Sequence, residues 1–199
     1  MRNTQLNIKL VIFTVIAGKL KIFLSNDKLL VGSLITGKSL NQSAEILFKE
    51  KVGILLKDIY IEQLYTFSSI KPLEISVVYY FLVPEHKIYS NKYNWKELAT
   101  FILNKSDKKI ILYAVQRLRW KIEYTNVVYS LLPDEFTFGQ LQSIYEAILG
   151  KTLDKRNFRK KILILNILKS TGHIKNLGKA RPAEMFSFTK KKLSFVQIL

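Results

Sequence analysis

The stretch Leu153-Asp-Lys-Arg-Asn-Phe-Arg-Lys-Lys-Ile162 decides how this chain is read. It gathers Lys155, Arg156, Arg159, Lys160 and Lys161 into the first turns of an expected helix. Asp154 stands at the N-cap position, where a carboxylate accepts hydrogen bonds from backbone N–H groups with no helical partner. Phe158, Ile162, Leu165 and Leu168 recur at helical spacing and are expected inward. That leaves Lys155, Arg156, Asn157, Arg159 and Lys160 outward. Upstream, Thr137-Phe-Gly-Gln140 has the form of a capping box, followed by an apolar face of Leu141, Ile144, Tyr145 and Ile148. Gly150-Lys-Thr separates the two helices. Helix, short glycine-bearing turn and basic helix outline a helix-turn-helix, whose second helix enters the DNA major groove. A solvated basic face on an ordinary helix fits the charge run equally well, so the rest of the chain has to separate the two.

Downstream, His173-Ile-Lys175 and Glu184-Met-Phe-Ser-Phe188 read as strands joined by Asn176-Leu-Gly-Lys-Ala-Arg-Pro182. A basic hairpin after a helix-turn-helix makes a winged helix. Its cations Lys175, Lys179 and Arg181 are expected along phosphate or the minor groove. Lys155, Arg156 and Asn157 are the candidates for base edges, since arginine can bind guanine and asparagine adenine through two hydrogen bonds. Arg159, Lys160 and the wing cations suit phosphate.

Charge supports a polyanionic partner. The 199 residues carry 32 Lys/Arg against 15 Asp/Glu, a net charge of +17. Residues 1–108 hold 15 cations and 9 anions, and residues 109–199 hold 17 and 6, so the excess is densest in the second part. Nucleic acid or an anionic membrane surface would answer such a charge. There is no cysteine, and His86 and His173 are the only histidines. Disulfides, thiolate metal sites and histidine-rich sites are therefore excluded, and no cofactor, metal or catalytic residue is expected. Both histidines read as surface or turn residues. The apolar run Leu10–Ala17 is too short and wrongly flanked for a signal-peptide core and reads as a buried strand. No run is long enough for a transmembrane helix, so a cytoplasmic protein without a membrane partner is expected.

The first half reads as a layered α/β domain. Residues 8–16 and 20–24 form an expected hairpin, and 59–67 and 74–83 two more strands. The second of these is nearly all apolar, as in a strand covered on both faces. Ser39 can cap a helix over 39–51 that Gly53 ends. A short helix is expected over 94–104, then a polar break at Asn104-Lys-Ser-Asp-Lys-Lys109. A long helix comes next, with Ile111, Val115, Leu118 and Ile122 as its apolar stripe. The resulting division is 1–107, a linking helix at 108–130, and 131–199. Near the end, Lys190-Lys-Lys192 is either a phosphate contact or a solvated run, and residues 193–199 are apolar enough to pack on the fold or a partner.

The runs Ile110–Thr125, Leu131-Leu-Pro133, Phe136–Gly150 and Leu153–Ile162 resemble the Nudix-related transcriptional regulators, and Arg181-Pro-Ala183 with Met185–Phe188 resembles their wing. The resemblance implies an α/β/α Nudix-like sandwich followed by a winged helix-turn-helix. It also implies a homodimeric bacterial repressor acting on a double-stranded DNA operator. Such regulators respond to an ADP-ribose-type nucleotide in NAD metabolism, or to a sugar such as arabinose.

That resemblance makes a demand on residues 32–54. A hydrolytic Nudix box needs several glutamates on a loop and helix to hold divalent cations. Here Gly32, Gly53 and Ile54 keep the frame, while Lys38, Ile46, Leu47 and Lys51 replace the charged residues and only Glu50 remains acidic. The implied domain is catalytically inactive and senses an effector, with Lys38 and Lys51 as candidate effector contacts, or it only dimerises. Two other readings stay open: a diverged Nudix hydrolase of nucleoside diphosphate derivatives with an accessory basic domain, and an unregulated nucleic-acid binder.

Overall fold

The computed structural model describes residues 5–70, 73–89, 94–98, 104–177 and 180–198. The chain forms two compact units. One comprises Met1–Thr14, Lys21–Val83 and Lys87–Ala114, and the other Val15–Leu20, Pro84–His86 and Val115–Leu199.

The first unit is built on a six-stranded sheet of β1 (Gln5–Ile16), β2 (Lys19–Phe23), β3 (Leu30–Ser33), β4 (Tyr60–Ile70), β5 (Leu73–Leu82) and β6 (Trp95–Glu97). The order is β4-β5-β1-β2-β6, with β3 also paired to β1. β1 runs parallel to β5, with Ile8 opposite Val77, and antiparallel to β3, with Leu10 opposite Leu30. The central strands are apolar because both faces are covered: Ile8, Leu10, Ile12, Phe13 and Val78 to Val83 are all buried.

Helix α1 (Leu40–Val52) begins where Ser39 Oγ accepts from the Gln42 amide and Gln42 Oε1 accepts from the Ser39 amide. It ends at Gly53, whose left-handed φ of 74° lets its N–H reach the Lys49 carbonyl. Phe48 stacks on Phe81 with ring centroids 4.5 Å apart. Helix α2 (Lys105–Tyr124) brings Tyr113 to Tyr65 and Phe67, at 5.4 and 5.8 Å. Tyr65 lies opposite Val78, and Phe81, three residues further along β5, points to the other face. The helices therefore cover opposite faces, and the unit is an α/β/α sandwich.

Two boundaries differ from expectation. The polar run at 104–109 is no break but the start of α2: Asn104 Oδ1 accepts from the Asp107 amide at 2.8 Å and caps the helix. The helix expected over 108–130 ends at Tyr124, where Thr125 Oγ1 bonds back to the Lys121 carbonyl, and a 3-10 turn occupies Val127–Leu131. The short helix expected over 94–104 is a strand where it is described. Trp95–Glu97 pairs with Lys21–Phe23, and the buried Trp95 ring packs edge-on against Phe23 at 5.4 Å. Burial of the indole overrides a weak helical pattern; residues 99–103 of that segment lie outside the described residues.

The second unit contains β7 (Phe136–Thr137), α3 (Phe138–Leu149), α4 (Lys155–Ile164), β8 (Leu168–Leu177) and β9 (Ala180–Phe188), with sheet order β7-β9-β8. Its core is aromatic. Phe138 meets Phe158 and Phe186, Tyr145 meets Phe158, and Phe136 meets Phe188, all with centroids within 6 Å. β8 and β9 extend well into the expected connection, with Leu177 already opposite Ala180. Helix α4 stops at Ile164, and Asn166 turns the chain at φ 51°. Leu165 is therefore only half-buried, and Leu168 opens β8 instead of extending the helical face. Among the described residues no helix is long and apolar enough to cross a membrane.

Candidate nucleic-acid interface

The helix-turn-helix is held at each joint by a named hydrogen bond. Thr137 Oγ1 accepts from the Gln140 amide at 3.2 Å and Gln140 Oε1 accepts from the Thr137 amide at 2.9 Å, so the capping box opens α3 as its sequence implies. Gly150 ends the helix at φ 71° with its N–H on the Glu146 carbonyl. In the turn, Glu146 accepts from the Leu153 amide at 2.9 Å, and Gln142 Nε2 donates to the Leu153 carbonyl at 3.0 Å. The Leu153 amide, and after it a bond from Gln142 Nε2 to Glu146 Oε1 at 2.9 Å, hold the Glu146 carboxyl below its ordinary value of 4.5. Asp154 Oδ1 then accepts from the Asn157 amide at 2.7 Å and starts α4. The turn thus fixes where α4 begins relative to α3.

On α4, Phe158 and Ile162 are buried, and Lys155, Arg156, Asn157, Arg159 and Lys160 are exposed. At about 100° per residue, Arg156 and Lys160 fall nearly opposite the buried pair, with Asn157 beside them. Lys155 and Arg159 fall on the flank. Arg159 is also engaged: its guanidinium lies 4.8 Å from the Phe138 ring centroid and 5.6 Å from that of Phe186, and 3.7 Å from the Glu184 carboxylate. It cements α4 to the wing while about half its side chain stays exposed.

In the wing, Lys175 is exposed on β8 opposite Ala183. Arg181 is a residue of β9, and Lys179 lies outside the described residues. His173 does not open its strand but sits inside β8, at a bulge where Gly172 takes φ 76°. Its Nδ1 is 2.9 Å from the Glu135 carboxylate. His86 is exposed in the short turn Glu85–Lys87. Lys191 pairs with Asp134, so that lysine of the 190–192 run is tied to the fold.

Three contributors were not read from the sequence. Arg119, on α2, donates from Nε to the Ile148 carbonyl at 2.9 Å and closes the end of α3. Glu146 and Gln142 brace the turn. The glycine at 150 signals free carbonyls at that helix end, but nothing in the sequence says which distant donor serves them.

In the first unit, a Cβ added to Gly32 would come within 3.0 Å of Leu47, so the glycine lets β3 and α1 pack closely. Leu47 is buried and Ile46 half-buried, where a metal-binding helix would present charge. Glu50 is exposed beside exposed Lys51. Divalent cations need several oxygen ligands, and among the described residues no three His, Asp or Glu side chains gather to hold a metal ion. The residues present do not fit a metal cluster. Lys38 precedes α1 and Lys51 sits in its last turn, roughly 17 Å apart along the axis, so no single phosphate group bridges them.

Comparison with known proteins agrees with this geometry. Residues 128–188 match the family described as the NrtR DNA-binding winged helix domain. The chain is 32% identical over 158 residues to the ADPR responsive transcriptional repressor NtrR of Acinetobacter baylyi, covering 73% of this chain and 62% of that protein. The chain thus matches less than two thirds of that relative's length. In fold it is similar to Shewanella oneidensis NrtR solved with a 27mer DNA, with TM-score 0.75 and 24% identity over 92% of this chain and 93% of that one. It is also similar to a MutT/nudix family protein of Enterococcus faecalis, with TM-score 0.70 and 18% identity over 94% and 89% of the two chains. A Nudix-like sandwich followed by a winged helix is borne out, as is the resemblance that implied it.

Proposed function

We propose that this chain, a Nudix-related regulator by its sandwich and its NrtR-type winged helix, is a DNA-binding transcriptional repressor. The observation that carries the reading is the outward face of α4. Arg156, Asn157 and Lys160 stand free of the core on a helix whose start is fixed by the Glu146, Gln142 and Asp154 hydrogen bonds. Base readout needs that combination, because groups that contact base edges must be held in register by the scaffold. Arg156 and Asn157 are assigned to bases; Lys155, expected at a base edge, falls on the flank of α4 and is assigned with Lys160, Lys175, Lys179 and Arg181 to phosphate; and Arg159 to phosphate through its exposed half. Two copies of the chain would place their α4 helices in successive major grooves, about 34 Å apart, on a near-palindromic site.

The N-terminal domain, residues 1–107, binds the effector. The Acinetobacter relative is described as ADP-ribose-responsive, which favours a nucleotide-type ligand over a sugar. Lys38 and Lys51 are separate candidate contacts for it. The domain does not hydrolyse that ligand, since one carboxylate at Glu50 cannot assemble a cation cluster. Metal-dependent release of AMP from ADP-ribose by pure protein would favour the diverged-hydrolase reading instead.

Footprinting on the DNA upstream of the gene, against random competitor at fixed salt, tests the central reading. A protected near-palindrome supports it. Protection that competitor abolishes at equal mass would replace it with an unregulated nucleic-acid binder.

A further inference from the structure

We infer that residues 193–198 form a strap that positions the recognition helix, with Ile198 as its anchor on α4; the inference rests on the DNA-binding reading of that helix. The segment lies beyond the residues matched by the winged helix family, 128–188. Its backbone runs along the end of α2. The last four carbonyls of any helix lack an intrahelical donor. In α2, the Glu123 carbonyl accepts from the Ile198 amide at 2.8 Å and the Tyr124 carbonyl from the Val196 amide at 2.9 Å. Asn126 continues the seam: its Oδ1 accepts from the Ser194 amide at 2.8 Å, its Nδ2 donates to the Lys192 carbonyl at 3.0 Å, and its own amide donates to the Ser194 carbonyl at 3.2 Å. The amides of alternate strap residues, 194, 196 and 198, are thus all spent on the stretch from Glu123 to Asn126.

The seam delivers one side chain to α4. Ile198 is fully buried and borders a small cleft of about 200 Å³ with Leu153, Asp154, Asn157, Phe158 and Lys161. These residues form the turn before α4 and its first two turns, the part that presents Arg156 and Asn157. The strap therefore ties the free end of α2 to the N-terminal end of the recognition helix. Arg156 and Lys160 do not line that cleft, and Ile198 is buried, so it is a positioning residue and not a contact to DNA.

The test compares Ile198→Ala, Val196→Pro and the exposed-site control Gln197→Ala. Val196→Pro removes the amide that serves Tyr124 and leaves α4 untouched. The DNA probes are a duplex enriched from a random pool by the unmodified chain and a scrambled duplex of the same composition. The strap variants should lose about tenfold on the enriched duplex and less than about threefold on the scrambled one, because phosphate contacts persist when register is lost. Gln197→Ala should match the unmodified chain. Equal affinity, or equal proportional losses on both duplexes, would overturn the inference. Amide exchange, read without DNA, separates this from failure of the DNA-binding reading. If the pool yields no enriched duplex, that reading falls, and the strap is judged by exchange alone. Residues 155–160 should exchange about tenfold faster in Val196→Pro while α3 keeps its protection. Unchanged exchange in α4 would overturn the strap whatever the duplexes show. Should Ile198→Ala fail to fold, Val196→Pro supplies both readouts.

Discussion

Arg119 Nε donates a 2.9 Å hydrogen bond to the Ile148 carbonyl, and so a residue of α2 completes the end of α3. A guanidinium there also suits the negative end of the α3 dipole. The same group leaves a Cβ at Gly150 only 3.2 Å from its terminal nitrogen. The joint before the recognition helix is therefore closed from outside the helix-turn-helix.

Arg119→Ala should cost about 1.5–3 kcal/mol of stability in the second unit, the range for a hydrogen bond to a charged group. Arg119→Lys should recover part of it, since an ammonium can donate but lacks the planar fork. Urea unfolding followed by the near-ultraviolet signal of the aromatic core measures both. Equal midpoints for all three proteins would show that the contact contributes nothing.

Among the α4 cations, Arg156→Ala should cost about 1–3 kcal/mol on the preferred site and little on unrelated DNA. Lys160→Ala should weaken both alike and reduce the salt slope by about one. Arg159→Ala should differ from each by lowering stability as well, since its guanidinium packs between Phe138 and Phe186. Titrations at several salt concentrations, with a melting curve for each variant, separate the three roles.

Lys9 is a second feature the sequence conceals. It lies on β1, about one-tenth exposed, with Nζ 3.3 Å from Glu74 and 3.9 Å from Asp107. Lys9→Met keeps the packing and strands two carboxylates, so it should cost about 3 kcal/mol. Adding Glu74→Gln to Lys9→Met should restore part of the loss. A thermal-melt double-mutant cycle without such coupling would show that the pair is not energetically linked.

Acid should weaken both units. Hydrogen bonds from Ser76 and then Asn7, with Lys9 adding, hold Glu74 below its ordinary value of 4.5, as the Leu153 amide does for Glu146. A carboxylate whose folded pKa is depressed stabilises the fold above its unfolded pKa. That stability is lost as pH falls through the folded value. Melting temperature should therefore be level near neutrality and fall below about pH 4.5. Glu74→Gln and Glu146→Gln should each start lower and fall less steeply. Parallel acid limbs for variants and unmodified chain would remove these two groups from the account.

Local signals in the sequence reached far. The caps Ser39, Thr137 and Asp154 and the terminators Gly53 and Gly150 act within four residues, and each helix start or stop they mark stands in the structure. The α4 pattern was legible because Phe158 and Ile162 leave its basic face outward. Long-range partners were not. Trp95 reads as helix until Phe23 offers it a place in the sheet, and Asp107 reads as part of a polar break until the Leu29 amide and Lys9 give it buried partners at the start of α2. Nothing near residue 198 announces a cleft beside Asn157 and Phe158. Arg159 reads as a free cation because the rings it packs between come from α3 and β9.

The central claim is a regulator whose DNA binding answers to a small molecule. The most direct measurement is affinity for the gene's own upstream DNA, with and without ADP-ribose, NAD and L-arabinose. Specific binding that ADP-ribose shifts is expected, and, by reciprocity, an equal shift in ADP-ribose affinity when that DNA is present. Tight binding that ignores sequence and is unmoved by every ligand would contradict it.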